Sequence, residues 1–201
     1  MKIAVFVSGR GSNLEAIINS PKYGELFDVA LVFSDKSECK AFEIARKNSI
    51  PSYSIGNKEG SIFYEEVIKI ITEKKIDLIV LAGFLKLIPE KLVNLYSGRI
   101  INIHPALLPS FGGPGMYGMN VHNAVFNSSC KVSGPTVHFV DNSYDTGKII
   151  AQKAIDINDV QSPEEIAERV LQVEHQILPF VVEKIAEGKI KEVNNRIIIE
   201  N

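Results

Sequence analysis

The sequence predicts an α/β fold organised on a mostly parallel, twisted sheet. Ile3–Val7 and Leu78–Phe84 are continuous apolar runs, the pattern of strands covered on both faces. Between them the chain alternates extended and helical stretches, as crossover-connected parallel strands require. Near the C-terminus two alternating runs flank a turn, which predicts an antiparallel pair. The 201 residues, 45% of them hydrophobic, suit one domain spanning 1–201, dividing into halves of about 1–100 and 101–201. The expectation is therefore a Rossmann-like sheet with helices on both faces and an antiparallel C-terminal extension.

Ile3–Val7 feeds Ser8-Gly9-Arg10-Gly11-Ser12-Asn13, and a helix follows from Leu14. A glycine turn between strand and helix offers free N–H groups and the positive end of a helix dipole, which favour an anion. A dinucleotide fingerprint needs glycine where Leu14 stands, and a triphosphate loop needs Gly-Lys-Ser/Thr where Gly11-Ser12-Asn13 stands. With hydroxyl and amide donors at Ser12 and Asn13, a monophosphate fits better. A tight turn with a Ser or Asn cap is the other reading.

Val29–Phe33 is the next strand, followed by a helix over 38–48, an extended piece 51–55, and an amphipathic helix over 63–74 through Val67, Ile68, Ile70 and Ile71. Beyond Leu78–Phe84 the chain stays apolar to Ile88 where a strand leaves the core, so Phe84 and Leu87 either line an apolar slot or pack under a following helix.

Ile100–His104 is a strand that ends at its own chemistry. Period two puts Asn102 and His104 on one face, and Pro105 stops the ladder. Ligand sites of open α/β sheets lie at such carboxyl ends. Ser110–Asn120 follows, with four glycines beside a Phe, a Tyr and two Met, and reads as a lid. A short helix over 121–129 carries His122. Strands over 134–140 and 149–157 pair across the turn 141–147, with Asp145 at its tip. Ser162-Pro163-Glu164-Glu165 opens a last helix with a cap, a first-turn proline and a capping-box Glu. Glu174 sits at its middle beside His175, and Pro179 predicts a kink. Residues 196–199 predict a terminal strand.

A net charge of −2 calls for neither nucleic acid nor a membrane surface as partner. No apolar run approaches the roughly 18–20 residues of a membrane span, and the N-terminal pattern is not that of a signal peptide. Cys39 and Cys130 are far apart and lack ligand spacing, which suits a reduced, cytoplasmic compartment. The four histidines, 104, 122, 138 and 175, lack paired metal-ligand spacing, so no metal is expected. His138 reads as strand-packed and structural.

Five separated stretches coincide with one family: Ser8–Leu14, Leu81–Phe84, Asn102–Pro105 with Leu107-Leu108-Pro109, Val137–Val140 with Asp145, and Glu174-His175. On these the chain resembles the phosphoribosylglycinamide formyltransferase family over residues 1–190. The resemblance implies formyl transfer from 10-formyltetrahydrofolate, the co-substrate, to the amine of 5-phosphoribosylglycinamide in purine biosynthesis. It implies His104, Asn102 and Asp145 as catalytic residues. It gives Gly11, Ser12 and Asn13 the substrate phosphate, Glu174 the ribose or glycinamide end, and Leu85, Lys86, Leu87, Ile88, Asn102, Asp141 and Tyr144 the folate. The two halves then read as phosphate-binding and folate/catalytic. Partners would be small molecules, and the assembly a monomer or homodimer.

In this chemistry a neutral amine attacks a formamide carbon, and charge develops on the formyl oxygen. Protonated His104 and the Asn102 amide would donate to that oxygen. Asp145 would raise the imidazole from its ordinary value near about 6.5 and take the amine proton. The chain departs from many members in its longer, glycine-rich Ser110–Val121 segment. It also has Ser61 where some carry Arg, which leaves the folate tail to Lys58 or Lys86. A transfer-RNA formyltransferase would have a further domain and a more basic balance, and a formyltetrahydrofolate hydrolase would not need the Ser8–Asn13 loop. A non-catalytic phosphosugar- or folate-binding module has no reason to hold Asn102, His104 and Asp145 together.

Overall fold

In the computed structural model, which describes residues 1–200, seven strands are hydrogen-bonded in the order Ser52–Ser54, Asp28–Ser34, Lys2–Val7, Leu78–Leu81, Ile100–His104, Thr136–Phe139 and Ile149–Gln152. The chain divides into two units between Ile101 and Asn102.

The first unit begins with β1 (Lys2–Val7), whose Ile3–Val7 are wholly buried. The chain then runs through α1 (Ser12–Ile18), β2 (Asp28–Ser34), α2 (Ala41–Lys47), β3 (Ser52–Ser54), α3 (Tyr64–Glu73), β4 (Leu78–Leu81) and α4 (Glu90–Leu95). β1 pairs in parallel with β2 on one side and β4 on the other, and β2 pairs in parallel with β3. From β1 the chain winds outward to β3 and then returns to β4 on the opposite side. Because such crossovers are right-handed, α1 and α2 cover one face of this half-sheet and α3 the other. The winding reverses between β1 and β4, and past their carboxyl ends, at Ser8 and Gly83, lies the position at which open α/β sheets take their ligands. α3 buries Val67 and Ile71, with Ile68 and Ile70 half-covered at the margin of its apolar stripe. α4 is a helix following the 84–88 segment, as one of the two sequence-based readings requires, although that reading gives it no bounds; Pro89 precedes its first turn and Leu92 and Val93 anchor it.

The second unit holds most of β5 (Ile100–His104), then α5 (Met119–Asn127), β6 (Val132–Ser133), β7 (Thr136–Phe139), β8 (Ile149–Gln152), β9 (Ile155–Asp156), α6 (Pro163–Ala186), β10 (Ile190–Val193) and β11 (Arg196–Ile199). β7 and β8 pair antiparallel, as the alternation predicts. The expected long strand over 149–157 is instead two, with β9 turning away to pair with β6. Gly134 explains the change. A Cβ there would lie 2.0 Å from the Lys153 carbonyl oxygen, so backbone meets backbone where the ladder breaks.

The buried Thr136 hydroxyl secures the stretch after β5. It donates to the Ala106 carbonyl at 2.6 Å and accepts the Leu108 N–H at 3.1 Å, while the Gln152 amide reaches both it and the Leu108 carbonyl at 2.9 Å. Val125, Ile157, Ile166 and Val170 form a core with Phe111 packed on its edge. α6 starts at the Ser162 cap, whose hydroxyl accepts the Glu165 N–H; the Glu165 carboxylate reaches back to the Gln161 N–H at 3.0 Å. The helix carries through Pro179 without a break, because buried residues on both sides, Ile177 and Leu178 before it and Val181 and Val182 after it, hold the two turns. β10 pairs with β11 across Asn194-Asn195, both left-handed, which are the residues a type I′ hairpin favours. No described helix is long and apolar enough to cross a membrane.

Candidate active site

β5 delivers Asn102 and His104 together, as period two requires, and the turn after β7 delivers Asp145. His104 is 3% exposed. Its Nδ1 lies 3.6 Å from Asp145 Oδ2, and its Nε2 lies 2.8 Å from the Phe111 carbonyl. That carbonyl only accepts, so Nε2 carries the hydrogen. Gly113 N–H donates to the same Asp145 oxygen at 2.9 Å. The loop after β5 is thus tied to His104 through Phe111 and to Asp145 through Gly113.

His138, read from sequence as structural, belongs to the cluster. Its Nδ1 donates to the Phe139 carbonyl at 2.7 Å, which leaves Nε2 to accept the Asn102 amide N–H at 3.1 Å. The same Nε2 lies 3.6 Å from Asp145 Oδ1. Asp145 therefore faces two imidazoles, one across each oxygen. The alternation of β7 places Thr136 and His138 on one face, and that pattern was the available signal for His138.

The electrostatics correct the expectation for His104. Burial lowers its pKa, and the pull of the Asp145 carboxylate and the Phe111 carbonyl in the other direction does not make up for it; His138 lowers it further. His104 is neutral at neutral pH, with its hydrogen on Nε2. Burial works against an ionised Asp145 and the Gly113 N–H donated to Oδ2 works the other way; on balance the carboxyl is held below its ordinary value.

His122, on α5, is buried, and its Nδ1 has no hydrogen-bond partner. Burial, with a smaller contribution from His104, pushes its pKa down to about 4. The sign of the linkage follows. The unfolded chain takes up this proton near 6.5 and the folded chain does not until about 4, so stability is full above 6.5 and falls as pH drops through that interval. Over about 2.5 pH units, at 1.36 kcal/mol each, the loss is roughly 3 kcal/mol. The urea midpoint should drop between pH 7 and pH 5, and should drop less in His122→Leu; equal drops in the two proteins would exclude His122 as the cause.

The second set of expected residues lies in the first unit. Gly11 is left-handed, at φ +81°, and caps α1 with no side-chain bond. A Cβ on Gly11 would lie 2.7 Å from Ala41 Cβ and 2.9 Å from Ala41 Cα, so α2 packs directly on the loop. Asn13 is buried and Ser12 half-buried. Gly11→Ala should cost about 1–3 kcal/mol from strain and crowding, read as a lower urea midpoint with an unchanged slope. After β4, Leu85, Lys86 and Leu87 are exposed and Ile88 is buried.

In the second unit, Asp141 braces the 141–147 turn, accepting the Ser143 N–H at 3.0 Å and the Thr146 hydroxyl at 2.7 Å, and leaves Tyr144 exposed. Glu174 is buried at mid-α6. Among the described residues no group of three His, Cys, Asp or Glu is placed to hold a metal ion.

A paired imidazole and carboxylate at a strand end, beside an amide oriented by a second imidazole, has the donors and the proton acceptor that acyl chemistry uses. The sequence model described as formyl transferase matches residues 1–182, and the chain belongs to that family. The chloroplastic phosphoribosylglycinamide formyltransferase of Arabidopsis thaliana is 45% identical over 195 residues, 94% of this chain and 67% of that protein. The phosphoribosylglycinamide formyltransferase of Bacillus subtilis is 41% identical over 92% of this chain and 94% of its own length. The crystal structure of phosphoribosylglycinamide formyltransferase from Anaplasma phagocytophilum superposes with a TM-score of 0.89 at 34% identity, covering 100% of this chain and 93% of that one. Within the formyl transferases, then, the chain is a member of the phosphoribosylglycinamide formyltransferase group.

Proposed function

We propose that this protein transfers the formyl group of 10-formyltetrahydrofolate to the amine of 5-phosphoribosylglycinamide, a step of purine biosynthesis. The observation that carries the reading is the cluster of His104, Asp145, His138 and Asn102 in a member of this family. The substrate phosphate is assigned to the N–H groups and side chains of Gly11, Ser12 and Asn13, and a ribose or glycinamide group to Glu174. The pterin is assigned to Leu85–Ile88 together with Asp141 and Tyr144. Lys58 or Lys86 is assigned to the folate tail.

In the step itself the amine nitrogen bonds to the formyl carbon, and the carbonyl becomes an oxyanion. Neutral His104 donates its Nε2 hydrogen to that oxygen, the hydrogen now given to Phe111, so this tautomer needs no extra proton to act. The second hydrogen of the Asn102 amide, whose first is taken by His138, provides another donor. Asp145, ionised and facing both imidazoles, accepts the ammonium proton. Collapse of the intermediate breaks the bond from carbon to the folate nitrogen, which takes up the proton held on Asp145, and releases formylated ribonucleotide and tetrahydrofolate. Opening of the Phe111–Gly113 contacts frees both His104 and Asp145 for this work.

The test is the absorbance change on mixing the protein with 10-formyl-5,8-dideazafolate, with and without the ribonucleotide. Deformylation that depends on the ribonucleotide supports the transferase. Deformylation without it is hydrolysis, and removes the phosphate assignment at Gly11–Asn13. Binding with no turnover is the result expected of a non-catalytic module.

A further inference from the structure

The reversal of chain winding in the first unit falls between β1 and β4, and one side chain spans it. The ladder of these strands ends at Phe6 and Leu81. Beyond it the Ser8 N–H donates to the Gly83 carbonyl at 3.1 Å, and the Leu85 N–H donates to Ser8 Oγ at 2.9 Å. Gly83 is left-handed, at φ +73°, so the chain turns out of the strand there and its next amides would leave the sheet unpaired. Phe84 turns inward and meets the Phe6 ring edge-on at 5.5 Å between centroids. Leu85 and Leu87 turn outward and are 39% and 49% exposed. Ser8, 2% exposed, is therefore the acceptor that sets the path of the segment displaying these leucines. It is also the first residue of the loop that runs to Asn13.

We propose that Ser8 is a positioning residue for folate: its hydroxyl, by holding the Leu85 N–H, sets the path of the Leu85–Ile88 backbone on which the pterin docks. The inference rests on the assignment of that segment to folate made above. Ser8→Ala removes the side-chain acceptor and keeps the backbone bond to Gly83, so the Gly11–Asn13 loop stays in place while the Leu85 segment is released. The effect then falls on one substrate and not on the other.

The experiment uses the full chain and two measurements. Titration calorimetry with 10-formyl-5,8-dideazafolate gives Kd without requiring turnover, and steady-state rates give KM for each substrate. Ser8→Ala is expected to weaken Kd and KM for the folate by about tenfold, with the ribonucleotide KM within twofold and kcat within threefold of wild type. Ser8→Thr, which keeps the hydroxyl, is expected to recover most of the folate affinity. A folate Kd in Ser8→Ala within twofold of wild type overturns the inference and leaves the functional reading intact. So does a parallel rise of both KM values, which is the mark of general loosening. A wild-type protein that does not bind the folate analogue at all removes the functional reading, and the inference with it.

Discussion

His104→Ala is expected to retain affinity for both substrates and to lose turnover by about 10²–10³-fold, the cost of removing one donor to a developing oxyanion. The size follows from burial. His104 Nε2 is held at 2.8 Å from an acceptor with almost no water around it, so a hydrogen bond there is worth more than one at the surface. The effect should appear in kcat, because the interaction strengthens only as charge develops. His104→Gln offers a check on the neutral form: a side-chain amide is a donor that cannot protonate, and it should recover part of the lost rate. If His104→Ala turns over as fast as wild type, the imidazole is a strand-end residue and the transition-state assignment is wrong. If the loss is entirely in KM, its role is in binding.

Asp145→Asn is expected to lower kcat by about 10²–10⁴-fold, the range for removal of a positioned proton acceptor. The amide still fills the space and still accepts the Gly113 N–H, so the fold should survive; an unchanged urea midpoint at pH 7 would establish that. The substitution also has a signature independent of turnover. The Asp145 charge raises the His104 pKa against the larger lowering by burial. Without it the imidazole should protonate at still lower pH, seen as a downward move of the His104 ring-proton titration in NMR spectra. A titration that stays in place would mean that the 3.6 Å approach carries no electrostatic coupling.

Much of the fold was legible because local pattern and burial agree. Ile3–Val7 reads as a covered strand and is one, and the Ser162-Pro163 start of α6 is written in its cap and its first-turn proline. The 149–157 run misled because alternation says nothing about where a ladder must break; the close backbone approach at Gly134 decides that. β10 was missed because Ile190–Val193 is short and mostly exposed, although Asn194-Asn195 marks the hairpin.

The sequence by itself determined placement along the chain: Asn102 and His104 on one strand face by period, Gly11–Asn13 between strand and helix by order, and Asp145 in a turn, its chemical role being implied there only by the family resemblance. These depend on residue type and spacing along the chain, which are local. Only the tertiary structure decided the state of His104 and the membership of His138. A neighbouring carboxylate alone argues for a protonated imidazole. How deeply that imidazole is buried is set by segments far apart in the chain, and here desolvation outweighs the carboxylate. His138 joins because β7 brings its Nε2 to Asn102 and Asp145, 36 residues from the one and across a turn from the other. Distance in space, which sets both desolvation and charge interaction, is not written in spacing along the chain.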